Sequence, residues 1–353
     1  MQMLRSKSTA VAALCVAAVS AVAAVGAGAR ESSAPPASAA AARGDLVIYG
    51  NSPAAQFKPV LDAFARANRG VKVKYTEQES NVSFSKYRAE NAQHARTADV
   101  IIASSPMNWA NNRQIALPFT PTGTNAYPRW LTQYPGVFVL SPDPAVSVYN
   151  KQRLPANRVP HSFRELESGL KKYPSLFKNK LTTFEVQHQF GYSAFWGFVK
   201  RHGWFGLDLL GPASKPQADG TSIVRQVVTG ASNYAYFESG IVRTALTGNL
   251  GKLVGWTYMK DFTPLVPRGI AITRGAGNRG AAKVLLNWLY SVPGQNALCA
   301  HGYTAFRRGV NCASSLATVE RSVGRKNVYL VPFHSSIAKD YRAFVARWRR
   351  AFR

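Results

Sequence analysis

The residue types and spacings in this chain that could do chemistry are few, and most suit holding a molecule rather than transforming one. Glu185 and His188 lie three apart. On a helix that spacing would turn a carboxylate and an imidazole toward one metal ion, but a lone pair of this kind is ordinarily just solvated. Gly275, Gly277 and Gly280 spell GxGxxG between a short apolar run and a helix, a turn whose backbone N–H groups can hold a pyrophosphate. A dinucleotide site also needs an acidic residue roughly 20 positions further on for the ribose, and none occurs from Asn278 to Val319. Ala281 stands where a phosphate loop would place its lysine. An NAD-linked enzyme is therefore a distant alternative resting on that turn alone. The chain has no G-x-S-x-G elbow, no HExxH and no CxxC pair, so no catalytic residue, no cofactor and no enzyme are expected.

A local device recurs instead. Asn51-Ser52-Pro53 and Ser104-Ser105-Pro106 each follow a buried apolar run and open a helix. Serine at the N-cap and proline at the first helical position are a favoured helix start. Gly191-Tyr192-Ser193 and Gly220-Thr221-Ser222 supply two similar starts. In open α/β sheets such turns lie at the carboxyl ends of strands, where ligands bind. Their free N–H groups and the positive end of the helix dipole suit an anion. Singly each turn is an ordinary cap; the four together fit ordinary caps and a shared anion site equally well. Alternation over Asn233 to Ser239 predicts a strand with Tyr234, Tyr236 and Glu238 on one face.

The elements that must position these residues follow a strand–helix alternation, which predicts an α/β fold. Leu46 to Gly50, Val71 to Thr76 and Asp99 to Ala103 read as strands. A helix from Pro53 between the first two carries Phe57, Val60, Leu61 and Phe64. Val137 to Leu140 and Ala145 to Tyr149 read as two further short strands, Leu181 to Phe184 as another, with helices over Ser193 to His202 and Thr221 to Thr229. Ser162 with Glu165 forms a capping box. An amphipathic helix from Ser336 closes the chain.

Arg5 and Lys7 precede an uncharged Ala- and Val-rich run that ends in Ala27-Gly28-Ala29. This predicts a secretory signal peptide over residues 1–29, followed by a disordered Ala/Pro/Ser leader over residues 30–43. In the oxidising compartment this implies, Cys299 and Cys312 favour a disulfide, two buried thiols being the alternative. Forty-four Lys and Arg against 17 Asp and Glu give a net charge of +27, a field that attracts nucleic acid, anionic membranes and anionic ligands alike. The basic residues are spread along the chain, dense only at Arg347, Arg349, Arg350 and Arg353. No nucleic-acid-binding motif accompanies them, so no nucleic-acid partner is expected. The charge reads as a solvated surface with a bias toward anions.

One stretch carries a family likeness. From Gly269 to Val310 the chain runs through an apolar strand, a glycine turn, and a helix with Val284, Leu285, Trp288 and Leu289 on one face. A restart at Ser291 before Pro293 and a stop at Gly302 follow. With "IIASSPM" after Asp99 and "VSVYN" leading to "VPHSFREL", this resembles the periplasmic solute-binding proteins of ABC importers, in their ferric-iron and small-anion branch. The resemblance, from about Asp45 to the C-terminus, implies a type II fold of two lobes. Each lobe would be an open doubly wound sheet with helices on both faces, joined to the other by a hinge. Residues 44–145 would form the first part of lobe 1, residues 146–261 lobe 2, and residues 262–353 the return to lobe 1 with the C-terminal helix. It further implies a monomer in the periplasm that passes its solute to a membrane permease. Carried over position by position, the ligand contacts would be Asn51, Ser52, Ser104, Ser105, Gly191, Tyr192, Ser193, Thr221, Ser222, Tyr236, Glu238 and Ser239. Iron binders usually have two adjacent tyrosines where this chain has Glu238-Ser239. The first expectation is therefore a small organic anion (a phosphorylated acid, phosphonate or carboxylate), with ferric iron held by Tyr234, Tyr236 and Glu238 as the alternative.

Overall fold

β1 (Gly44–Gly50) carries a continuous apolar run from Leu46 to Tyr49 and lies between β2 (Val71–Glu77) and β3 (Val100–Ala103), parallel to both. The structure, a computed structural model, describes residues 43–353; the signal peptide and nearly all of the leader lie outside the described residues. α1 (Ala54–Ala67) and α2 (Ser80–Ala92) make the crossovers. Phe57, Val60, Leu61 and Phe64 recur at helical spacing, and α1 buries all four against the sheet. α3 (Pro106–Asn112) follows β3, and β4 (Thr132–Tyr134) leads into β5 (Val137–Asn150).

The two short strands expected from Val137 to Tyr149 are one strand of 14 residues, running straight through Ser141-Pro142-Asp143-Pro144. Proline interrupts a pattern because it cannot donate to a ladder. Here the register against the neighbouring strand shifts just before that segment, at Leu140, and then stays in step through both prolines, with Pro142 facing another proline, Pro267.

Next come α4 (Phe163–Lys172), α5 (Pro174–Phe177), β6 (Leu181–Phe184), α6 (Gln189–His202), α7 (Phe205–Leu210), β7 (Ser214–Gln217) and α8 (Gly220–Val228). β8 (Tyr234–Ser239), α9 (Gly248–Leu253), β9 (Val254–Thr257) and β10 (Thr263–Ile272) follow, then α10 (Arg279–Leu289), α11 (Val292–Ala300), α12 (Leu316–Val323), β11 (Val328–Leu330) and α13 (Ser335–Ala351). The sheet order is β2-β1-β3-β10-β5-β8-β6-β7, with β11 beside β10 and β4 and β9 beside β5. β10 is antiparallel to both β3 and β5, so the sheet is mixed. The first part of β5 pairs with β10, its later part with β8 and β9.

Two large cores hang on that long strand. Leu46, Ile48, Phe57, Ile102, Phe138 and Ile270 belong to one, and Val148, Phe177, Leu181, Phe195, Tyr234 and Phe237 to the other. The C-terminal helix α13, expected to follow a return to the first part, buries Ile337, Phe344 and Trp348 in the second core. No helix among the described residues is long and apolar enough to cross a membrane.

The "SVPGQ" restart has a steric basis. A Cβ on Gly294 would meet the Trp288 carbonyl oxygen at 2.0 Å, so α11 can begin hard against the end of α10 only with glycine there. A disulfide joins Cys299 at the end of α11 to Cys312 in the loop before α12. Replacing both cysteines by serine is expected to lower the unfolding free energy by ~3 kcal/mol, the loop-closure entropy of a ring this size. Denaturant midpoints of the oxidised protein and the double-serine variant measure this; coincident midpoints would show that the staple contributes nothing.

Candidate functional site

The carboxyl ends of four strands carry or lead to several of the expected contacts. Asn51 and Ser52 follow the end of β1, Ser104 and Ser105 follow the end of β3, β6 leads into α6, and β8 ends at Glu238 and Ser239. Two hydrogen bonds tie the ends of the two sheet halves to each other. Ser105 Oγ donates to Gln189 Oε1 at 2.7 Å, and Gln56 Nε2 donates to Thr244 Oγ1 at 3.3 Å. The turns after β1 and β3 thus face the start of α6 and the segment after β8.

The first half of this site is organised by a buried ion pair that the sequence reading did not single out. Arg268 on β10 donates to Asp143 Oδ2 on β5 through Nη2 (2.9 Å) and Nε (3.2 Å), with both residues buried. Its Nη1 reaches Asn51 Oδ1 at 3.0 Å and Ser52 Oγ at 2.9 Å. Asn51 Oδ1 also accepts the Ser104 N–H at 3.1 Å, and Tyr75 donates its hydroxyl to the Ser52 carbonyl at 2.6 Å. Burial alone would lower the Arg268 pKa; the facing Asp143 carboxylate more than offsets it, and the guanidinium is held above its ordinary value. The sequence signal was weak: Asp143 falls between the apolar runs Val137 to Leu140 and Ala145 to Tyr149, and Arg268 just before the run from Gly269.

The four helix starts do not all work as expected. Only Ser105 caps its helix, accepting the Asn108 N–H at 3.2 Å. Ser52 does not cap α1, because Arg268 takes its hydroxyl and the Ala54 N–H goes to Glu77 Oε2 at 2.7 Å. α6 is capped by His188, whose Nδ1 accepts the Gly191 N–H at 3.4 Å, while Ser193 Oγ turns back to the Gln189 carbonyl at 2.7 Å. α8 is capped by Asp219, which accepts from Ser222 N (2.7 Å) and Ser222 Oγ (2.9 Å); Thr221 is exposed. Carboxylates of the chain itself therefore fill the positive ends of α1 and α8, where a free anion was expected.

Gly191 lets α6 approach β6, since a Cβ there would meet Phe184 Cβ at 2.4 Å. Tyr192 is fully buried and donates to the Ile337 carbonyl, so it holds α13 rather than facing a ligand. The Glu185–His188 pair does not form a metal site. Glu185 is exposed, while His188 stacks on Phe184 with ring centroids 4.0 Å apart, and burial pushes its imidazole pKa down to about 4.

β8 also departs from simple alternation. Glu238 faces Val146 and Ala235 faces Val148, so β8 spends an extra residue over that interval, and Phe237 sits at φ 61°. The bulge flips the side-chain parity, and Tyr234, Tyr236 and Glu238 do not share a face. The Tyr234 hydroxyl donates to the Pro160 carbonyl at 2.8 Å, and Tyr236 pairs with Ser214 Oγ at 3.0 Å. Burial pushes both phenol pKa values well up. Glu238 lies against the first residue of α8, with Oε1 only 2.7 Å from where a Gly220 Cβ would be. Its Oε1 accepts the Ser239 N–H at 2.9 Å and its Oε2 has no partner. Burial raises its pKa to about 8, with a smaller push from Asp219. Ser104 Oγ is likewise buried without a partner. No group of three or more His, Cys, Asp or Glu side chains able to hold a metal occurs among the described residues.

The glycine turn before α10 is filled by the chain. Asn278 Oδ1 caps α10 through the Ala281 N–H at 3.1 Å, and Asp99 Oδ1 accepts the Asn278 N–H at 2.8 Å. A buried carboxylate stands where a pyrophosphate would have to lie, which removes the basis for the NAD-linked alternative.

A mixed α/β sheet with two cores on one long strand, and strand ends meeting between them, is the fold of type II periplasmic binding proteins. Residues 50–296 match the bacterial extracellular solute-binding protein family, and the chain belongs to it. This is a family of solute binders, not of enzymes. The substrate-binding protein of an ABC transporter from Agrobacterium tumefaciens is similar in structure, with TM-score 0.78, 19% identity, 88% of this chain and 95% of that one covered. Iron-bound HitA from Pseudomonas aeruginosa gives 0.70 and 16%, covering 86% and 99%. The Trichodesmium protein IdiA (FutA), in complex with iron and citrate ligands, gives 0.65 and 17%, covering 87% and 99%. No curated protein matches the chain in sequence.

Proposed function

We propose that this protein is the extracellular receptor of an ABC importer and that its solute is ferric iron carried inside a small organic anion. The two sheet halves act as lobes that close on the complex between Asn51, Ser52, Ser104 and Ser105 on one side and Gln189, Glu238 and Ser239 on the other. The observation that carries this reading is a site of hydroxyls, amides and one carboxylic acid, with Ser104 Oγ and Glu238 Oε2 buried and unpartnered. Iron-binding proteins among the similar structures favour iron. The phenols of Tyr234 and Tyr236 are committed inside the fold, so the metal must bring ligands of its own. A free anion cradled by helix N-termini is less well supported, because Glu77 and Asp219 occupy two of those ends. An anionic chelate needs only hydrogen-bond donors around its rim, and the net charge of +27 attracts it.

The test is calorimetry on protein unfolded and refolded to strip bound solute, titrated with ferric citrate, citrate alone, phosphate and a phosphonate. Ferric citrate should bind far more tightly than the metal-free anions; equal affinity for a metal-free anion would return the reading to a simple anion receptor. Ser104→Ala with Ser105→Ala should weaken ferric citrate binding at least about tenfold, since hydrogen bonds to a charged ligand contribute roughly 1.5–3 kcal/mol each. The fold should survive, because Ser104 Oγ has no partner in the chain and loss of the Ser105 cap costs only ~1 kcal/mol.

A further inference from the structure

The densest positive charge in the sequence has a defined geometry that solute binding does not use. Lys339, Arg342, Arg349 and Arg350 are exposed on α13. At 3.6 residues per turn they fall within about 100° of one another, along roughly 16 Å of helix. Arg353 follows at the helix end, also exposed. The opposite face is the buried one, carrying Ile337, Phe344, Trp348 and Ala351. The only acid of the helix, Asp340, is paired with Lys200 at 2.9 Å, and Arg347 is paired with Asp208 at 2.6 Å. None of the five stripe cations makes an ion pair among the described residues.

An exposed aromatic stands next in sequence to a ring packed on this helix. Phe205, which opens α7, is 68% exposed. Its neighbour Trp204 packs on Phe344 with centroids 4.7 Å apart, lies under the Arg347 guanidinium, and lines one groove with Arg350. A large apolar side chain left in water near a row of unpaired cations is the combination that binds a bilayer interface, with charge drawn to anionic headgroups and the ring entering the acyl boundary. A straight row of like charges on a convex helix matches an extended anionic plane, not a point anion.

We propose that the outer face of α13, together with Phe205, docks this receptor on anionic phospholipid at the outer surface of the membrane. Docking would hold the receptor beside its importer, a consequence that rests on the reading above; the docking itself does not depend on which solute is bound. Nucleic acid is the competing polyanion, since the bases of a single strand can stack on an exposed ring such as Phe205, but the family works outside the cell.

The experiment is sedimentation of the mature protein with vesicles of phosphatidylcholine, alone or mixed with phosphatidylglycerol, at low and at physiological salt. The protein should pellet with the anionic vesicles only, and less at higher salt. Lys339→Gln, Arg342→Gln, Arg349→Gln and Arg350→Gln combined should lower partitioning at least about tenfold. Arg164→Gln, Lys171→Gln, Lys172→Gln and Lys178→Gln, which remove the same charge elsewhere, should change it little. Phe205→Ser should weaken partitioning on its own and provides the test should the four-site variant fold poorly. Equal loss in the two four-site variants would make net charge the cause and overturn the proposal. So would full binding by the stripe variant, indifference to Phe205→Ser, or retention on immobilised DNA with no binding to vesicles. Unchanged ferric citrate affinity in every variant separates failure here from failure of the solute assignment.

Discussion

Arg268→Ala is expected to lower the unfolding free energy by about 3–5 kcal/mol, the cost of leaving one member of a buried ion pair without its partner. Asp143 would keep only the Ser141 hydroxyl, which donates to its other oxygen at 2.5 Å. Asn51 and Ser52 would lose the donor that fixes both side chains. Arg268→Met combined with Asp143→Leu should recover most of that loss, because an apolar pair of similar volume removes both desolvation penalties together. Urea titrations of the two single variants and the double variant form a cycle whose coupling should exceed about 2 kcal/mol. Additive losses would mean that the pair does not hold these strands together. The same pair sits where β5 and β10 cross between the halves, so the double variant separates stability from function. It should be stable yet bind ferric citrate more weakly than the wild type, because Asn51 and Ser52 are no longer aimed.

The parts of the molecule that the sequence made legible are those governed by local periodicity. The strands around Leu46, Val71 and Val100 and the four apolar positions of α1 follow from spacing and from nothing else in the chain. The turns at Asn51, Ser104 and Ser105 were legible for the same reason, since a strand end followed by Ser-Pro is a local pattern. What escaped was decided by distant residues. Ser52 fails to cap α1 because of Glu77 and Arg268, more than 20 and 200 positions away. No window of sequence contains that competition. The face shared by Tyr234, Tyr236 and Glu238 was lost to one extra residue at the Phe237 bulge, which alternation cannot foresee. The continuous β5 escaped because Pro142 and Pro144 look like breakers until the strand opposite them, with its own Pro267, is known.

Glu238→Gln should make the protein more stable than the wild type above neutral pH and leave it unchanged in acid. The carboxyl is buried, and its pKa rises from an ordinary 4.5 to about 8. Below pH 4.5 it is protonated in both the folded and the unfolded chain, and glutamine is then a near-isostere. Between pH 4.5 and 8 the unfolded chain releases its proton while the folded chain keeps it. The folded state therefore binds more protons there, and stability falls as pH rises. Above pH 8 both states are ionised and the loss levels off, at a magnitude of a few kcal/mol for a shift of this size. His188 acts in the opposite sense: its depressed pKa of about 4 makes stability rise with pH up to its ordinary value of 6.5. Subtracting the variant's pH profile from the wild type's cancels that contribution and isolates Glu238. A flat difference from pH 4 to 9 would show that this carboxyl ionises normally. Binding provides the functional half of the argument. A protonated Glu238 can donate from Oε2 to an anionic chelate, whereas the ionised form repels it. Wild-type affinity for ferric citrate should therefore fall as pH passes 8, while the glutamine variant, which keeps a donor at every pH, should hold its affinity. If both lose affinity together, the pH dependence belongs to the chelate and Glu238 does not touch it.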